Sequence, residues 1–370
     1  MKKLLLCIGT RADAIKMAPL CRSLDNNPAF ETCILSSGQH REMCRDALGF
    51  FSVEPDIDLD IMKDGQDPEY VLSELSRLMP RILEAEAPDA VLVHGDTATA
   101  LGCARAAHEK NIRVAHVEAG LRSGDERSPY PEELFRREIS RIASFHFAPV
   151  ESARENLLAE GVQADRIFVT GNTVIDALLC AMEREDKASA LVRDFAKSSE
   201  EHPLVLLTLH RRENHGDRAE KLFLAVDKLL ADNDKLSVLF PMHKSRNVRE
   251  AFSRTAPHSE RFIVCEPLDY PSFVYAMGKC RFIISDSGGV VEEASFLSKP
   301  TVYARDHSER KEAETKGPAI LCGADGDSLY RTATRLLEDS EFYATVSERK
   351  FVYGDGKACE RISKALESIV

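Results

Sequence analysis

The sequence predicts an α/β protein with two similar halves, each built on a parallel sheet with helices packed against it. Short apolar runs alternate with segments of helical periodicity along the whole chain, which is typical of consecutive β-α-β units. The length of 370 residues exceeds what one hydrophobic core usually supports, so we expect two domains. The polar turns after the strands should line one edge of each sheet, where open α/β sheets bind ligands.

In the first half, strands are predicted where a short apolar run precedes a polar turn: residues 3–8, 31–36, 90–93, 113–117, 145–148 and 166–170. Helices are predicted between them, at residues 12–24, 71–84, 98–110, 132–144, 151–160 and 173–180. The apolar side chains of residues 71–84, for example, recur at the spacing of one helix face. We therefore predict a Rossmann-like domain in residues 1–170.

The second half repeats this alternation, with strands predicted near residues 204–209, 236–240, 262–265, 281–284 and 300–303. We place the second Rossmann-like domain at residues 171–356, so that a crevice separates the two domains. The charged stretch at residues 183–201 is predicted to be solvated surface. Residues 357–370 form an amphipathic helix, with Ile362, Leu366 and Ile369 on one face, and we expect it to join the first domain.

Composition argues against several classes of function. The formal net charge of −12 disfavours a nucleic-acid-binding protein, because phosphate contacts need clustered Lys and Arg. No run of about 18 apolar residues predicts a membrane span, and the apolar start at residues 4–8 is too short for a signal peptide. The ten cysteines are scattered without a C-x-x-C pair, which favours reduced thiols in a cytoplasmic protein.

Common cofactor and catalytic motifs are absent from the sequence. It has no H-E-x-x-H and no Cys/His quartet, so we predict no metal site. Without G-x-G-x-x-G, a nicotinamide or flavin cofactor has no support, and we expect no cofactor. A G-x-S-x-G elbow and a P-loop are also missing, which disfavours a hydrolase or an NTPase.

Two stretches of the second half predict a site for a nucleotide diphosphate. They are V-L-L-T-L-H-R-R-E-N at residues 205–214 and S-D-S-G-G-V-V-E-E-A at residues 285–294. Ser287, Gly288 and Gly289 should present backbone N–H groups at a helix N-terminus, which favours an anion. Glu292 and Glu293 should follow in the first helical turn, where carboxylates accept bonds from sugar hydroxyls.

Two histidines of the second half are candidates for phosphate binding. His210 ends a predicted strand and precedes two arginines, so we favour phosphate contact over ordinary surface exposure. His243 follows another strand and is either a second phosphate-binding group or an ordinary surface residue. We include both in the predicted site.

The predicted strands of the first half end in charged residues. Asp96, Glu118 and Glu132 are candidate acid/base groups, whose pKa values would move apart if they packed together. Arg11, Lys16 and Arg136 could hold a substrate's charge or orient those carboxylates. Ordinary surface charge is the alternative, but several charges at one sheet edge favour an active site.

Ten motifs follow one another along the chain: G-T-R-A-D-A-I-K-M-A-P at 9–19, Q-H-R-E-M at 39–43, V-L-V-H-G-D-T at 91–97, H-V-E-A-G-L-R at 116–122, S-P-Y-P-E-E at 128–133, G-N-T-V-I-D-A-L at 171–178, H-R-R-E-N at 210–214, D-S-G-G at 286–289, R-D-x-x-E-R at 305–310 and Y-G-D-G at 353–356. With these motifs in this order, the chain resembles the non-hydrolysing UDP-N-acetylglucosamine 2-epimerases over nearly its whole length.

The resemblance implies a two-domain fold like that of the GT-B glycosyltransferases, with substrate between the domains and no dissociable cofactor. It also implies a reaction in which UDP is eliminated across C1–C2 to give 2-acetamidoglucal. UDP then returns to C1 with C2 inverted, so that UDP-GlcNAc and UDP-ManNAc interconvert. Such an enzyme supplies ManNAc for surface polysaccharides, and we expect a cytoplasmic homodimer.

The resemblance also implies roles for individual residues. Three carboxylates match the positions that transfer protons: Asp96, Glu118 and Glu132. The positions that contact the leaving UDP match His210, Ser287, Gly288 and Gly289. Glu293 matches the position that holds the ribose, and further cleft positions match Arg11, Lys16, Arg136 and Arg310. Parts of a regulatory UDP-sugar site match Gln39, Gln66 and Arg211. The chain departs from the family pattern at Asp13, Phe135, Val291, His307 and Lys311, none of them a presumed catalytic group.

Four other functions stay open at this point. A hydrolysing relative would release ManNAc and UDP after the same first step, and a related enzyme could act on a modified UDP-HexNAc. A glycosyltransferase would not explain why Asp96, Glu118 and Glu132 are all present. A non-enzymatic UDP-sugar sensor should have lost one of the carboxylates, whereas all three are present.

Overall fold

The computed structural model describes the whole chain except residues 126–128, 199–201, 256, 258, 307 and 349–350. Ser128 of the S-P-Y-P-E-E motif and His307 therefore lie outside the described residues. The chain divides into two compact units. The first unit comprises Met1–Leu179 with Tyr353–Val370, and the second comprises Cys180–Val352.

The first unit contains a seven-stranded parallel sheet. Its strands are β1 (Lys2–Ile8), β2 (Phe30–Ser36), β3 (Ile57–Asp58), β4 (Ala90–His94), β5 (Arg113–Val117), β6 (Phe145–Ala148) and β7 (Ile167–Val169). They are arranged in the order β3-β2-β1-β4-β5-β6-β7. The order reverses between β1 and β4, and such a switch point is where doubly wound sheets form a ligand crevice.

Among the described residues, six helices connect these strands and a seventh follows β7: α1 (Arg11–Asp25), α2 (Arg41–Phe50), α3 (Pro68–Glu86), α4 (Ala98–Glu109), α5 (Glu132–Ile142), α6 (Glu151–Ala159) and α7 (Thr173–Met182). Three of them begin at side-chain caps, because Thr10, Asp67 and Thr97 each accept a bond from a backbone N–H of the first turn. The apolar faces of α3 and α4 pack on one face of the sheet, with Leu75, Met79 and Leu101 in the core. Continuous apolar strands and one-sided helices thus build this core as the sequence predicts.

The second unit repeats the topology with six parallel strands in the order β10-β9-β8-β11-β12-β13. They are β8 (Leu204–Thr208), β9 (Ser237–Pro241), β10 (Phe262–Cys265), β11 (Phe282–Ser285), β12 (Thr301–Tyr303) and β13 (Ala319–Leu321). Its helices are α8 (Ala190–Ser198), α9 (Asp217–Ala231), α10 (Arg246–Thr255), α11 (Tyr270–Lys279), α12 (Gly288–Leu297), α13 (Lys311–Thr315), α14 (Gly326–Glu338) and α15 (Ser340–Val346). Its switch point lies between β8 and β11.

The last helix, α16 (Ala358–Ile369), belongs to the first unit. Ile362 and Leu366 are fully buried, and the helix packs against α1. Asp176 accepts bonds from the first backbone N–H groups of this helix, at Ala358 and Cys359. The terminal segment is therefore anchored at its start by a carboxylate and along its length by apolar contact.

The predicted fold class, two Rossmann-like α/β halves, is confirmed. The strands β3 and β13 were not predicted, because two and three residues are too few to show a periodic pattern. The helix α2 was also not predicted, although its buried Cys44, Ala47 and Leu48 share one face. The prediction that residues 183–201 are solvated surface is wrong for α8, where Val192, Phe195 and Ala196 are buried. The domain limits at 170 and 356 stay a prediction, since compactness alone does not show which segments fold together.

Candidate functional site

Two neighbouring strands of the first unit end in the predicted acid/base groups. β4 ends at His94, and Asp96 lies in the turn that follows, after Gly95 with a φ of 61°. β5 ends at Val117, and Glu118 comes next with a φ of 63°. A positive φ is uncommon for a residue with a Cβ, and backbone strain of this kind clusters at functional sites. The two carboxylates therefore follow the carboxyl ends of paired strands.

Asp96 forms an ion pair with Arg136 on α5. Arg136 is buried, and its Nη1 lies 3.3 Å from Oε2 of Glu133, which is fully buried. Glu133 also accepts a bond from the backbone N–H of Ser123, at 3.1 Å. Asp96 keeps about a fifth of its side chain exposed, at 22 %, so it is the member of this network that a ligand can reach.

Glu118 forms a second, buried ion pair with Lys16 of α1. Its Oε2 also accepts a hydrogen bond of 2.7 Å from Nδ2 of Asn172. His94 brings its Nε2 to 3.7 Å from the same oxygen. An ammonium and an amide donor both favour the ionised carboxylate, so this arrangement keeps a negative charge at the end of β5.

Asp13 shapes the start of α1 and holds the adjoining turns. Its Oδ2 accepts bonds from the backbone N–H groups of Gly9 and Thr10, at 3.2 and 3.0 Å, and from Oγ1 of Thr97, at 3.2 Å. Its Oδ1 lies 3.4 Å from Nδ1 of His94. The aspartate that departs from the family pattern is thus a buried connector between the turns after β1 and β4.

Glu132 and Arg11 stand at helix starts. Glu132 is the first residue of α5, one turn before Arg136 on the same helix face. Its Oε2 is buried and has no hydrogen-bond partner among the residues that the structure describes. Arg11 is the first residue of α1 and is half-buried.

The regulatory-site candidates Gln39 and Gln66 are in direct contact. Nε2 of Gln66 donates to the backbone carbonyl of Gln39 at 2.8 Å. Oε1 of Gln39 accepts from Oγ1 of Thr99 at 2.8 Å. Gln39 is therefore fixed by both main-chain and side-chain bonds near the end of β2.

In the second unit, a buried aspartate organises the turn after β8. Asp286 follows β11 directly and is fully buried. Its carboxylate accepts bonds from the backbone N–H of His210 at 3.0 Å, from that of Arg211 at 2.9 Å, and from Nδ2 of Asn214 at 3.0 Å. This aspartate was not predicted as a site residue, although its place directly after a buried strand was a usable signal.

His210 and His243 meet at this edge of the second sheet. Their rings stack with centroids 5.5 Å apart and planes inclined by 28°. Nδ1 of His210 lies 3.4 Å from Oδ1 of Asp286. Burial lowers the pKa of His210 to about 4, and the nearby Asp286 carboxylate opposes this shift only in part. The imidazole is therefore neutral at pH 7.

Helix α12 begins at Gly288, with Ser287 as its cap residue. The first N–H groups of a helix have no carbonyl one turn earlier, so they are available to an anion. A Cβ on Gly288 would lie 2.8 Å from Cζ of Arg310, so that guanidinium packs against the glycine. A Cβ on Gly289 would meet nothing within 4 Å, which leaves open space beside it.

The acidic residues of α12 do not lie in its first turn, contrary to the prediction. The helix begins at Gly288, so Glu292 and Glu293 fall in its second turn. Glu292 is fully buried and accepts a 3.0 Å bond from Nε of Arg310, which is a structural contact. Glu293 accepts a 2.8 Å bond from the hydroxyl of Tyr270. Glu293 stays a candidate for the ribose, with Tyr270 orienting its carboxylate.

The structure thus brings together Asp96 with Arg136, Glu118 with Lys16, His210 with His243, and Gly288 with Arg310. Arg211, a regulatory-site candidate, binds Asp286 through its backbone, and its buried Nε has no partner among the described residues. Glu133, Asn172 and Asp286 were not predicted, because their importance lies in contacts with distant segments. Among the described residues, no cluster of His, Cys, Asp and Glu could hold a metal ion, and no helix is long and apolar enough to span a membrane.

The model of one protein family, described as UDP-N-acetylglucosamine 2-epimerase, matches residues 22–367. This chain belongs to the UDP-N-acetylglucosamine 2-epimerase family. It is 43% identical over 372 residues to the probable UDP-N-acetylglucosamine 2-epimerase of Ralstonia nicotianae, covering 100% of this chain and 99% of the relative. It is 42% identical over 373 residues to the UDP-N-acetylglucosamine 2-epimerase of Salmonella typhimurium, covering 99% and 98%.

Among solved structures, the chain is similar to the UDP-GlcNAc 2-epimerase of Neisseria meningitidis bound to UDP-GlcNAc. The TM-score is 0.94 at 36% identity, over 99% of this chain and 100% of that one. The predicted family and the GT-B-like fold class are therefore confirmed. These comparisons do not separate hydrolysing from non-hydrolysing members of the epimerase family.

Proposed function

We propose that this chain interconverts UDP-GlcNAc and UDP-ManNAc without hydrolysis, by eliminating UDP and adding it back. One observation carries the proposal: two carboxylates, Asp96 and Glu118, follow adjacent strands and are each paired with a buried cation. Such a set serves proton transfer at carbon better than it serves ligand binding alone. The relatives named above, one of them bound to UDP-GlcNAc, support the choice of substrate.

The first step requires a base at the sugar's C2. A carboxylate takes the C2 proton, the C2–H electrons form the C1=C2 double bond, and the C1–O bond breaks to release UDP. Asp96 is the preferred base because its carboxylate is partly exposed and is held in place by Arg136. In the return step a carboxylic acid protonates C2 from the other face, and a UDP oxygen attacks C1.

The other two carboxylates have different proposed roles. Glu118, bonded to Lys16 and Asn172, holds a fixed negative charge that orients the sugar and positions the neighbouring groups. Glu132 has a carboxylate oxygen with no partner among the described residues, and it is the candidate for the second proton-transfer group. A pair of acid and base with unlike surroundings is what a reversible proton transfer needs.

The second unit is proposed to hold the UDP portion of the same substrate molecule. The first N–H groups of α12, at Gly288 and Gly289, would bind the diphosphate, with Arg310 supporting the helix start. His210, fixed by Asp286 and stacked on His243, would stabilise the charge that develops on the leaving oxygen. Arg11, Ser287 and Glu293 complete the proposed contacts with substrate.

A deuterium experiment separates the proposed reaction from its alternatives. The protein is incubated with UDP-GlcNAc in heavy water, and the sugar is followed by NMR. UDP-ManNAc with deuterium at C2 is the expected product. Free ManNAc would show the hydrolysing reaction instead, and the absence of turnover with any UDP-HexNAc would leave a binding protein.

Three further features stay predictions. Gln39, Gln66 and Arg211 are proposed to belong to a regulatory UDP-sugar site, and the contact between the two glutamines supports a fixed local structure there. We also propose a homodimer, to be tested by light scattering of the purified protein. A cytoplasmic role in supplying ManNAc for surface polysaccharide rests on the proposed reaction.

A further inference from the structure

The first unit contains a cavity of about 520 Å³ beside helix α5. It is bounded by the second half of α5, the start of β6 and the turns between α6 and β7, and its lining includes Arg137, Arg141, His146, Glu160 and Arg166. The volume lies within the range of small-molecule sites. A small molecule fits a cavity of this size, and its polar lining offers groups that could bind one.

The cavity is separate from the groups assigned to the reaction. None of Asp96, Glu118 or Glu132 lines it. His146 and Arg166 lie at the amino ends of β6 and β7, whereas Asp96 and Glu118 follow the carboxyl ends of β4 and β5. In a parallel sheet these are opposite edges, so the reacting sugar and this cavity do not share a position.

The charge of the cavity is positive. Its carboxylate, Glu160, is already bound in a bidentate pair by Arg122, at 2.8 and 2.7 Å. Arg141 and Arg166 form no ion pair with any carboxylate in the part of the chain that the structure describes, and both are exposed to solvent. Two exposed guanidinium groups that lack an ion-pair partner within 4 Å in one concave site favour a bound anion, and their fork geometry matches phosphate oxygens.

His146 forms part of the cavity wall. Its side chain is 1% exposed and lies beside the backbone of Ala143, another residue of the lining. Burial, together with Arg122 and Arg166, lowers the pKa of His146 to about 4, so the ring is neutral at pH 7.

We propose that this cavity binds a phosphate-bearing small molecule, with Arg141 and Arg166 on its phosphate oxygens and the neutral ring of His146 in its wall. The ligand's size is that of a sugar phosphate or a mononucleotide. Nothing in this binding depends on the proposed epimerase reaction.

Helix α5 links the cavity to the Asp96 pair. Arg137 lines the cavity, and its Nε lies 3.4 Å from Oε1 of Glu133. The other oxygen of Glu133 contacts Arg136, which pairs with Asp96. A phosphate in the cavity also attracts Arg137, which lines it, and so weakens the contact between Arg137 and Glu133. Glu133 then binds Arg136 more strongly, and the pair between Arg136 and Asp96 weakens. The ligand should therefore change turnover, an effect that rests on the proposed function.

Calorimetric titration with pyrophosphate tests the binding site. Wild type is compared with the double variant R141Q/R166Q, with and without saturating UDP. We expect a pyrophosphate site that UDP does not displace and that is weakened about tenfold or more in R141Q/R166Q, because each lost charge-assisted bond costs about tenfold. The matched control R22Q/R81Q removes two exposed arginines from α1 and α3 and should bind as wild type does.

Unchanged pyrophosphate affinity in R141Q/R166Q would overturn the site, as would complete displacement by UDP. Circular dichroism melting curves of the variants confirm that they are folded. Turnover is measured in parallel with and without pyrophosphate. A change in wild type that R141Q/R166Q lacks supports the link through Glu133, and unaltered turnover at saturating pyrophosphate overturns that link while leaving the binding result intact.

Discussion

The two units have the same strand order, but different contacts fix the turns that follow the carboxyl ends of their strands. In the first unit, carboxylates are paired with cations, as in Asp96 with Arg136 and Glu118 with Lys16. In the second unit, one buried carboxylate, Asp286, collects backbone and amide N–H groups around His210. The same topology thus presents carboxylates paired with cations in one unit and a carboxylate that collects N–H groups in the other.

The difference shows where chemical specificity comes from in this fold. The switch points between β1 and β4 and between β8 and β11 put turns at equivalent places. The residues of those turns differ: Gly95, with a φ of 61°, and Asp96 follow β4, whereas a Ser-Gly-Gly helix start follows the equivalent strand β11. The strand order determines where the ligand-binding edge of each sheet lies, and a few turn residues determine which chemical groups that edge presents.

Asp96→Asn should produce the largest loss on the first-unit side of this comparison. It keeps the size of the side chain but removes the proposed base, so kcat should fall about 10²-fold or more. Affinity for UDP, measured by calorimetry, should be unchanged because UDP is assigned to the second unit. Asp64→Asn, at an exposed position, is the control. Near-normal kcat would show that Asp96 is not the base.

His210→Ala should produce a loss of about 10²-fold in kcat on the second-unit side. The proposed cause is lost stabilisation of the leaving UDP, while the fold is kept because Asp286 bonds to the backbone at this position. Steady-state rates of the variant are compared with those of His202→Ala, an exposed histidine of the same unit. Equal rates in the two variants would remove His210 from the catalytic set.

Two substitutions test whether the start of α12 binds the diphosphate of UDP: Gly288→Ala and Gly289→Ala. In the first variant the new Cβ would lie 2.8 Å from Cζ of Arg310, so stability should fall by about 1–3 kcal/mol and UDP affinity about tenfold. In the second variant no atom lies within 4 Å of the new Cβ, so the stability should be kept. The affinity for UDP should fall, because the Cβ occupies the open space proposed for the diphosphate. Urea unfolding and UDP titration measure both effects. Undiminished UDP affinity in Gly289→Ala would contradict a diphosphate site there.

Acid should weaken the first unit through its buried histidines. Burial lowers the pKa of His116 from 6.5 to about 3, so the unfolded chain takes up the proton first as the pH falls. The stabilising effect of the neutral ring is complete above pH 6.5 and is lost toward pH 3, with a slope of up to about 1.4 kcal/mol per pH unit.

Urea unfolding between pH 7 and pH 4 measures this slope. His116→Gln should flatten it, whereas the exposed His202→Gln should leave it unaltered. The slope is compared rather than the absolute stability, because Nε2 of His116 also bonds the carbonyl of Gly95 at 2.7 Å. An identical slope in all three proteins would mean that other groups govern acid unfolding.

Much of the fold was predictable because it is encoded locally. Residues 113–117 and 262–265 were predicted as strands with the ends that the structure has, since both are short apolar runs between polar turns. The strand β3 was missed because two residues are too few to show a pattern, and the helix α2 was missed although Cys44, Ala47 and Leu48 form a buried face. The charged stretch before β8 was misjudged, because the apolar face of α8 is narrow and packs against α11.

By itself, the sequence determined the fold class, the order of strands and helices, the family and the turns that carry chemical groups. These depend on periodicity and on residues close together in the chain. Only the tertiary structure decided which charges pair, as with Lys16 and Glu118, 102 positions apart. It also decided that Asp286 holds the His210 turn and that Arg310 lies on Gly288. Such contacts depend on how distant segments pack, and no local pattern encodes that.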